Sequence, residues 1–263
     1  MFKNIYQFIL TKMKTKIWIF LLCVVFSCAT FAQQGTGPKV LFIGDSLTDG
    51  GWGASGGQAI PSENRNLWDW NHLLGHGYVY LCAAHYMGHE PQKELQFYNR
   101  GNGGDKLPDM INRWQKDCID IHPDVVSILI GVNDVGAWAR GGKDTKFDDK
   151  GWEEQLEALI RNTRLVLPGT KIILCTPFVV NSGDLAEKGN FERYNTGCQQ
   201  LSKIVRKLCK KHHLVCVEFD TLFENLANKY PTIPLIHWCW DGVHPTPAGH
   251  QLMADLWTKT VGL

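Results

Sequence analysis

The feature that most constrains this chain is an alternation of short, almost wholly apolar runs with longer segments whose apolar residues return at helical spacing. Val40 to Ile43, Val125 to Ile130, Ile172 to Cys175 and Leu214 to Phe219 are runs of the first kind, and Leu95 to Tyr98 is a shorter one. Each is too short for a stable helix and lacks polar alternation, which suits a strand covered on both faces. Between them, Ile111, Trp114, Cys118 and Ile121 repeat at helical spacing. So do Trp152, Leu156, Leu159, Ile160, Thr163 and Val166, closed by Pro168-Gly169, and then Tyr194, Cys198, Leu201, Val205 and Leu208. A last helix, opened by Pro245-Thr246-Pro247, carries Leu252, Met253, Leu256 and Trp257. The apolar and aromatic segment Leu67 to Met87 also reads as helical, broken near Gly75 and Gly77. Strands that alternate with helices predict an α/β fold with a mostly parallel central sheet. In such open sheets ligands bind outside the carboxyl ends of the strands, so residues that do chemistry should follow strands.

Ser46 obeys that rule. The strand from Lys39 to Ile43 stops at Gly44, and Asp45-Ser46 follows at the start of a helix, where backbone N–H groups are free. A serine placed there is a candidate nucleophile, although Gly-Asp-Ser alone also fits a turn with an N-cap. A nucleophilic serine needs a base, and Asp241-Gly242-Val243-His244-Pro245 offers a histidine with a carboxylate three residues before it. That spacing lets the carboxylate fold back onto one imidazole nitrogen while the other faces the serine. Asn133, after the third strand in Gly131-Val132-Asn133-Asp134, can donate an amide N–H to a developing oxyanion, which ionised Asp134 cannot. The glycine loop Gly101-Asn102-Gly103-Gly104-Asp105 allows backbone N–H groups close to a substrate.

These four segments, in this order, resemble the four blocks of the SGNH hydrolases, also called the GDSL esterase and lipase family. The resemblance runs from Gly44 to His244. It implies a flavodoxin-like three-layer α/β/α sandwich, with Ser46 as nucleophile, His244 as general base and then acid, and Asp241 as the orienting carboxylate. It also implies an oxyanion hole made by the Ser46 N–H, the Gly104 N–H and the Asn133 side chain. Gly104 is the choice among the loop glycines because Asp105 follows it. The implied reaction requires no metal and no cofactor.

The amino terminus reads as an address label. Lys12, Lys14 and Lys16 precede the apolar run Ile17 to Phe31, which ends in Thr30-Phe31-Ala32, so residues 1–32 are expected to be a cleaved signal peptide, with Met13 an alternative start. Residues 33–38 read as a linker and 39–263 as one hydrolase domain. The apolar core is short for a membrane span, so no stable membrane insertion is expected after cleavage. Lipidation at Cys28 is a weaker reading, because Val25-Phe26-Ser27 matches the required pattern poorly. With the leader removed seven cysteines remain, an odd number without paired spacings, which argues against a disulfide framework. Cys175 and Cys216 sit in apolar runs and read as small buried hydrophobes, and Cys239 stands between Trp238 and Trp240. A formal charge of +1 with interspersed signs gives no footprint for nucleic acid.

Other motifs carry less. Gly53-Ala54-Ser55-Gly56-Gly57 matches a nucleophile elbow, and Gly51 to Gly56 a dinucleotide fingerprint, but no strand runs into either. His72 with His76, and His85 with His89, have metal-chelating spacing without the glutamate of zinc peptidases. The loops Gly50 to Asn66, Gly136 to Gly151 and Asn181 to Asn190, with Pro231 to Trp240, should rise from one rim and carry Trp52, Trp138, Trp238 and Trp240. Aromatic faces among polar loops suit sugar rings. The expected substrate is therefore an acylated carbohydrate or small ester. A lipase or lysophospholipase of the same family, and a catalytically silent glycan-binding protein, are the alternatives.

Overall fold

The first strand, β1 (Lys39–Gly44), is followed by a single helical turn α1 (Ser46–Asp49), then α2 (Tyr78–His89) and β2 (Gln96–Gly101). The chain continues with α3 (Leu107–Asn112), α4 (Trp114–Asp117), β3 (Val125–Leu129), α5 (Val132–Ala139), α6 (Asp149–Val166) and β4 (Lys171–Cys175). It closes with α7 (Gly183–Glu187), α8 (Phe191–His212), β5 (Val215–Val217), α9 (Phe219–Glu224), α10 (Leu226–Lys229) and α11 (Pro247–Val261). This computed structural model describes residues 37–51, 74–141 and 145–263. The expected signal peptide, Cys28, Trp52, His72 and the Gly53 to Gly57 motif lie outside the described residues.

The five strands lie in the order β2-β1-β3-β4-β5 and every pairing is parallel. This is the doubly wound order in which successive strands are added to opposite sides of β1, so the strand order switches between β1 and β3 and opens a crevice above their carboxyl ends. Side chains alternate across a strand, so Phe42 and its register partner Ser127 share one face. There the Phe42 ring meets Tyr78 of α2 at 5.7 Å and Trp257 of α11 at 4.7 Å. The Trp257 indole N–H donates to Ser127 Oγ at 3.0 Å, so a tryptophan with no access to solvent leaves no polar atom unmatched. Helices α2 and α11 pack on one another over this face. The second layer is a chain of contacts from α3 through α6 to α8, with α5 against α8. Within it the Trp114 N–H donates to Thr163 Oγ1 at 3.0 Å. The result is a three-layer α/β/α sandwich.

Local chemistry sets the helix ends. Asp148 accepts the Gly151 N–H at 2.9 Å ahead of α6, and Thr246 caps α11 with Pro247 in its first turn. Two regions depart from the sequence pattern. The residues expected to form one helix from Ile111 to Ile121 instead form α3, α4 and a 3₁₀ turn, with Arg113 leaving helical geometry at the joint (φ −104°, ψ 5°). The apolar periodicity survives the break because successive turns bury the same face. The run expected to be a strand to Phe219 ends at Val217, and Phe219 opens α9, because a continuous apolar run does not mark where strand gives way to helix.

Candidate active site

Ser46 is the first residue of α1, directly past the carboxyl end of β1. Asp45 caps that turn: its Oδ1 accepts the Leu47 N–H at 3.0 Å, while its backbone carbonyl accepts from Thr48 and Asp49. As the first helical residue, Ser46 has no intrahelical acceptor for its own N–H. The turn is held against β2 by Asn99, whose amide donates to Thr48 O at 2.8 Å and Leu74 O at 2.9 Å. Gly101 makes that approach feasible, since a β-carbon there would lie 2.1 Å from the Asp49 nitrogen.

His244 and Asp241 reach the same place from the loop before α11. Ser46 Oγ lies 2.9 Å from His244 Nε2, and His244 Nδ1 lies 2.7 Å from Asp241 Oδ2. The other carboxylate oxygen of Asp241 accepts the Val243 and His244 N–H groups at 2.9 and 2.7 Å. The loop is stapled from outside by three bonds: Val180 N–H to Gly242 O, Leu185 N–H to Asp241 O, and Ser182 Oγ to Cys239 O. Burial alone would raise the Asp241 carboxyl, but the bonds from the His244 ring, His244 N–H and Val243 N–H hold it below its ordinary range. His244 is raised, chiefly because Asp241 accepts its hydrogen bond, against an opposing effect of burial. The bonding defines the tautomer: Nδ1 carries the proton toward Asp241, leaving Nε2 able to accept from Ser46.

The glycine loop stands beside the serine. A β-carbon on Gly103 would come 3.9 Å from Ser46 Cβ, and Gly104 adopts φ +86°, a conformation that glycine adopts without strain. Asn133, near the start of α5, donates one amide N–H to Asp105 O at 3.1 Å. A carboxamide has two such donors, so this bond orients the group and leaves the second N–H for a ligand. Next to it, Asp134 accepts the Leu107 N–H with both oxygens at 3.2 Å, and burial pushes its pKa up to about 6.

Ser46, His244, Asp241, Gly104 and Asn133 are thus brought to one edge of the sheet. The tryptophans separate. Trp240 is 57% exposed and its ring lies against that of His244, 6.1 Å between centroids and 21° from parallel. Trp138 instead packs against Phe147 and under the Arg193 guanidinium at 4.3 Å, and its N–H is bound to Thr145 O. Trp238 is buried against Tyr230 and His237. The rings of His85 and His89 lie 4.9 Å apart on α2. Cys175 and Cys239 are buried, whereas Cys216 is only partly covered.

Sequence reading alone missed two groups here. Asp45 is fully buried, its Oδ2 has no hydrogen-bond partner among the described residues, and desolvation pushes its pKa up to about 7. Arg113, at the joint between α3 and α4, donates to Asp105 Oδ2 beside the glycine loop at 2.7 Å and to Gly44 O at 2.9 Å.

A profile of the GDSL-like lipase/acylhydrolase family matches residues 42–252. An acetylxylan esterase from Geobacillus stearothermophilus is 30% identical over 235 residues, covering 87% of this chain and 95% of that protein. A crystal structure of an acetylxylan esterase from that organism superposes with a TM-score of 0.68 at 27% identity, covering 88% of this chain and 97% of the other. A protein from Parabacteroides merdae, named for its likeness to GDSL lipases, gives a TM-score of 0.72 at 32% identity, covering 88% of this chain and 98% of the other. The chain belongs to the GDSL-like lipase/acylhydrolase family and is an esterase of the SGNH type.

Proposed function

We propose that the protein is an exported serine esterase that removes acetyl or similarly short acyl groups from a carbohydrate through an acyl-enzyme. The observation that carries this reading is the unbroken line of hydrogen bonds from Ser46 Oγ through His244 to Asp241, at 2.9 and 2.7 Å. Ser46 attacks the ester carbonyl as its proton passes to His244 Nε2, and Asp241 stabilises the imidazolium that forms. The tetrahedral oxyanion is received by the Ser46 and Gly104 N–H groups and the free N–H of Asn133. His244 returns its proton to the departing sugar oxygen, and a water activated by the same ring then releases the acid. No cofactor enters these steps.

Three observations support a sugar as the alcohol. Trp240 offers an exposed aromatic face against the His244 ring, where the leaving group must sit. A groove of about 300 Å³ adjoins the Val180–Gly242 staple; Phe191, Asn195 and Gln199 line one helical stripe of it, and Asn181, Glu224 and an apolar wall that includes Phe223 and Leu235 complete it. Its amides and carboxylate can hydrogen-bond sugar hydroxyls, and its aromatic and aliphatic walls suit the apolar faces of sugar rings. The relative from Geobacillus acts on acetylxylan by its name. Export rests on the basic and apolar leader in residues 1–32. Among the described residues no helix is long and apolar enough to cross a membrane. The test is acid release from acetylated polysaccharides and from p-nitrophenyl esters of increasing chain length. Release from glycans and short esters only is expected. Preference for long chains would replace this reading with a lipase, and no release from any ester would leave a silent glycan binder.

A further inference from the structure

We infer that Arg113 is a positioning residue for the oxyanion hole, acting through Asp105; this rests on the esterase reading above. One guanidinium makes four bonds to four different segments. Its Nε donates to Asp105 Oδ2 at 2.7 Å, Nη1 to Asp117 Oδ2 and to Arg100 O at 2.8 Å each, and Nη2 to Gly44 O at 2.9 Å. Gly44 and Arg100 belong to the carboxyl ends of β1 and β2, and Gly44 lies two residues before Ser46. Asp105 directly follows Gly104.

Asp105 distributes this anchorage. Its Oδ1 accepts the Asn102 amide at 2.9 Å, its N–H donates to Asn102 O at 3.2 Å, and its carbonyl receives the Asn133 amide at 3.1 Å. Asn102 N–H donates in turn to Gly44 O at 3.0 Å, so Gly44 O joins Arg113 and the glycine loop. Each of the three oxyanion donors is therefore one or two residues, or one hydrogen bond, from a group that Arg113 holds. The guanidinium and both carboxylates are largely withdrawn from water, at 17%, 9% and 2% side-chain exposure. A planar fork is the group that reaches four acceptors in divergent directions; an ammonium is a compact point charge with three donors and cannot span them. Arg113 makes these contacts from the non-helical joint between α3 and α4 (φ −104°, ψ 5°). Donor placement matters at sub-ångström precision, and a shift of about 1 Å at a reacting centre can cost on the order of a hundredfold in rate.

The experiment compares wild type, Arg113→Lys, Asn133→Ala and the double variant on p-nitrophenyl acetate, with kcat expressed per serine labelled by a fluorophosphonate. Arg113→Lys is expected to lower kcat per labelled site by roughly tenfold or more, leaving KM and the pH midpoint unchanged, since binding and His244 are untouched. In the Asn133→Ala background the same substitution should cost several-fold less, because both act on one device. Should Arg113→Lys not fold, Asp105→Asn keeps the shape, removes the charge that Arg113 grips, and should show the same loss confined to kcat. Wild-type kcat per labelled site, with only the labelled fraction or the melting temperature reduced, would overturn the inference and leave Arg113 a structural ion pair. Wild-type protein that releases no p-nitrophenol would overturn the esterase reading, and this inference with it.

Discussion

Asp45 and Asp241 are both carboxylates within reach of His244, and their surroundings push them in opposite directions. Asp241 gains three hydrogen bonds and stays ionised, whereas Asp45 gains one, loses its water, and is raised to about 7. For Asp45 the linkage sign is unfavourable at neutral pH. Between the ordinary carboxylate value of 3.8 and about 7, the folded protein holds a proton that the unfolded chain has released, so stability falls as pH rises through that window. At about 1.4 kcal/mol per unit the full effect is a few kcal/mol. Asp45→Asn should therefore gain melting temperature relative to wild type as pH goes from 4 to 7. A difference independent of pH, followed by calorimetry, would contradict the raised value. His244 supplies the second prediction. Its pKa lies above 6.5 because of Asp241, and the ring must be neutral to take the Ser46 proton, so activity should rise with pH through a midpoint above that value. Asp241→Asn removes the main cause, so the midpoint should move to lower pH while kcat falls by roughly ten-thousandfold, as in the serine protease on which that figure rests. A midpoint that does not move in a pH–rate profile would contradict the assignment.

At the level of elements, the groove beside α8 makes the specificity reading testable. Phe191, Asn195 and Gln199 recur every four residues on one helix face, so the stripe is a property of the helix as much as of its residues. Phe191→Ala and Asn195→Ala should raise KM several-fold for acetylated oligosaccharides while leaving p-nitrophenyl acetate hydrolysis unchanged; an equal change on both substrates would remove the groove from substrate binding. The same scale shows which elements the sequence reveals. The long helices α6 and α8 and the strands β1, β3 and β4 declare themselves, because their apolar spacing persists over whole turns or fills a buried run. The eight-residue α5 is too brief to build a periodic pattern, and the break at Arg113 leaves no trace in the apolar spacing, which runs on through it. Ser46, Asp241, His244 and Asn133 were legible since local spacing and strand ends define them. Arg113 and Asp45 were not, because what distinguishes each is the company that the fold brings to it: four acceptors for one, and the loss of solvent for the other. Trp138 and Trp238 show the converse, aromatic residues in expected rim segments that the fold uses for packing.

For the whole molecule, the sheet order explains why four distant segments converge. With β1 between β2 and β3, where the strand order switches, the chain leaves β1 with Ser46, β2 with the glycine loop and β3 with Asn133, all along one edge. The Asp241–His244 loop arrives from the end of the chain, pinned by the residues that follow β4. A parallel sheet covered on both faces supplies the rigid base that these loops require, with Phe42, Trp257 and Tyr78 filling one side of it. The central claim is that this edge hydrolyses esters through Ser46. Its most direct test is acetate release from an acetylated xylo-oligosaccharide by wild-type protein and by Ser46→Ala, with circular dichroism establishing that both are folded. The account predicts release by the wild type and none above background by the variant; release by Ser46→Ala at the wild-type rate would contradict it.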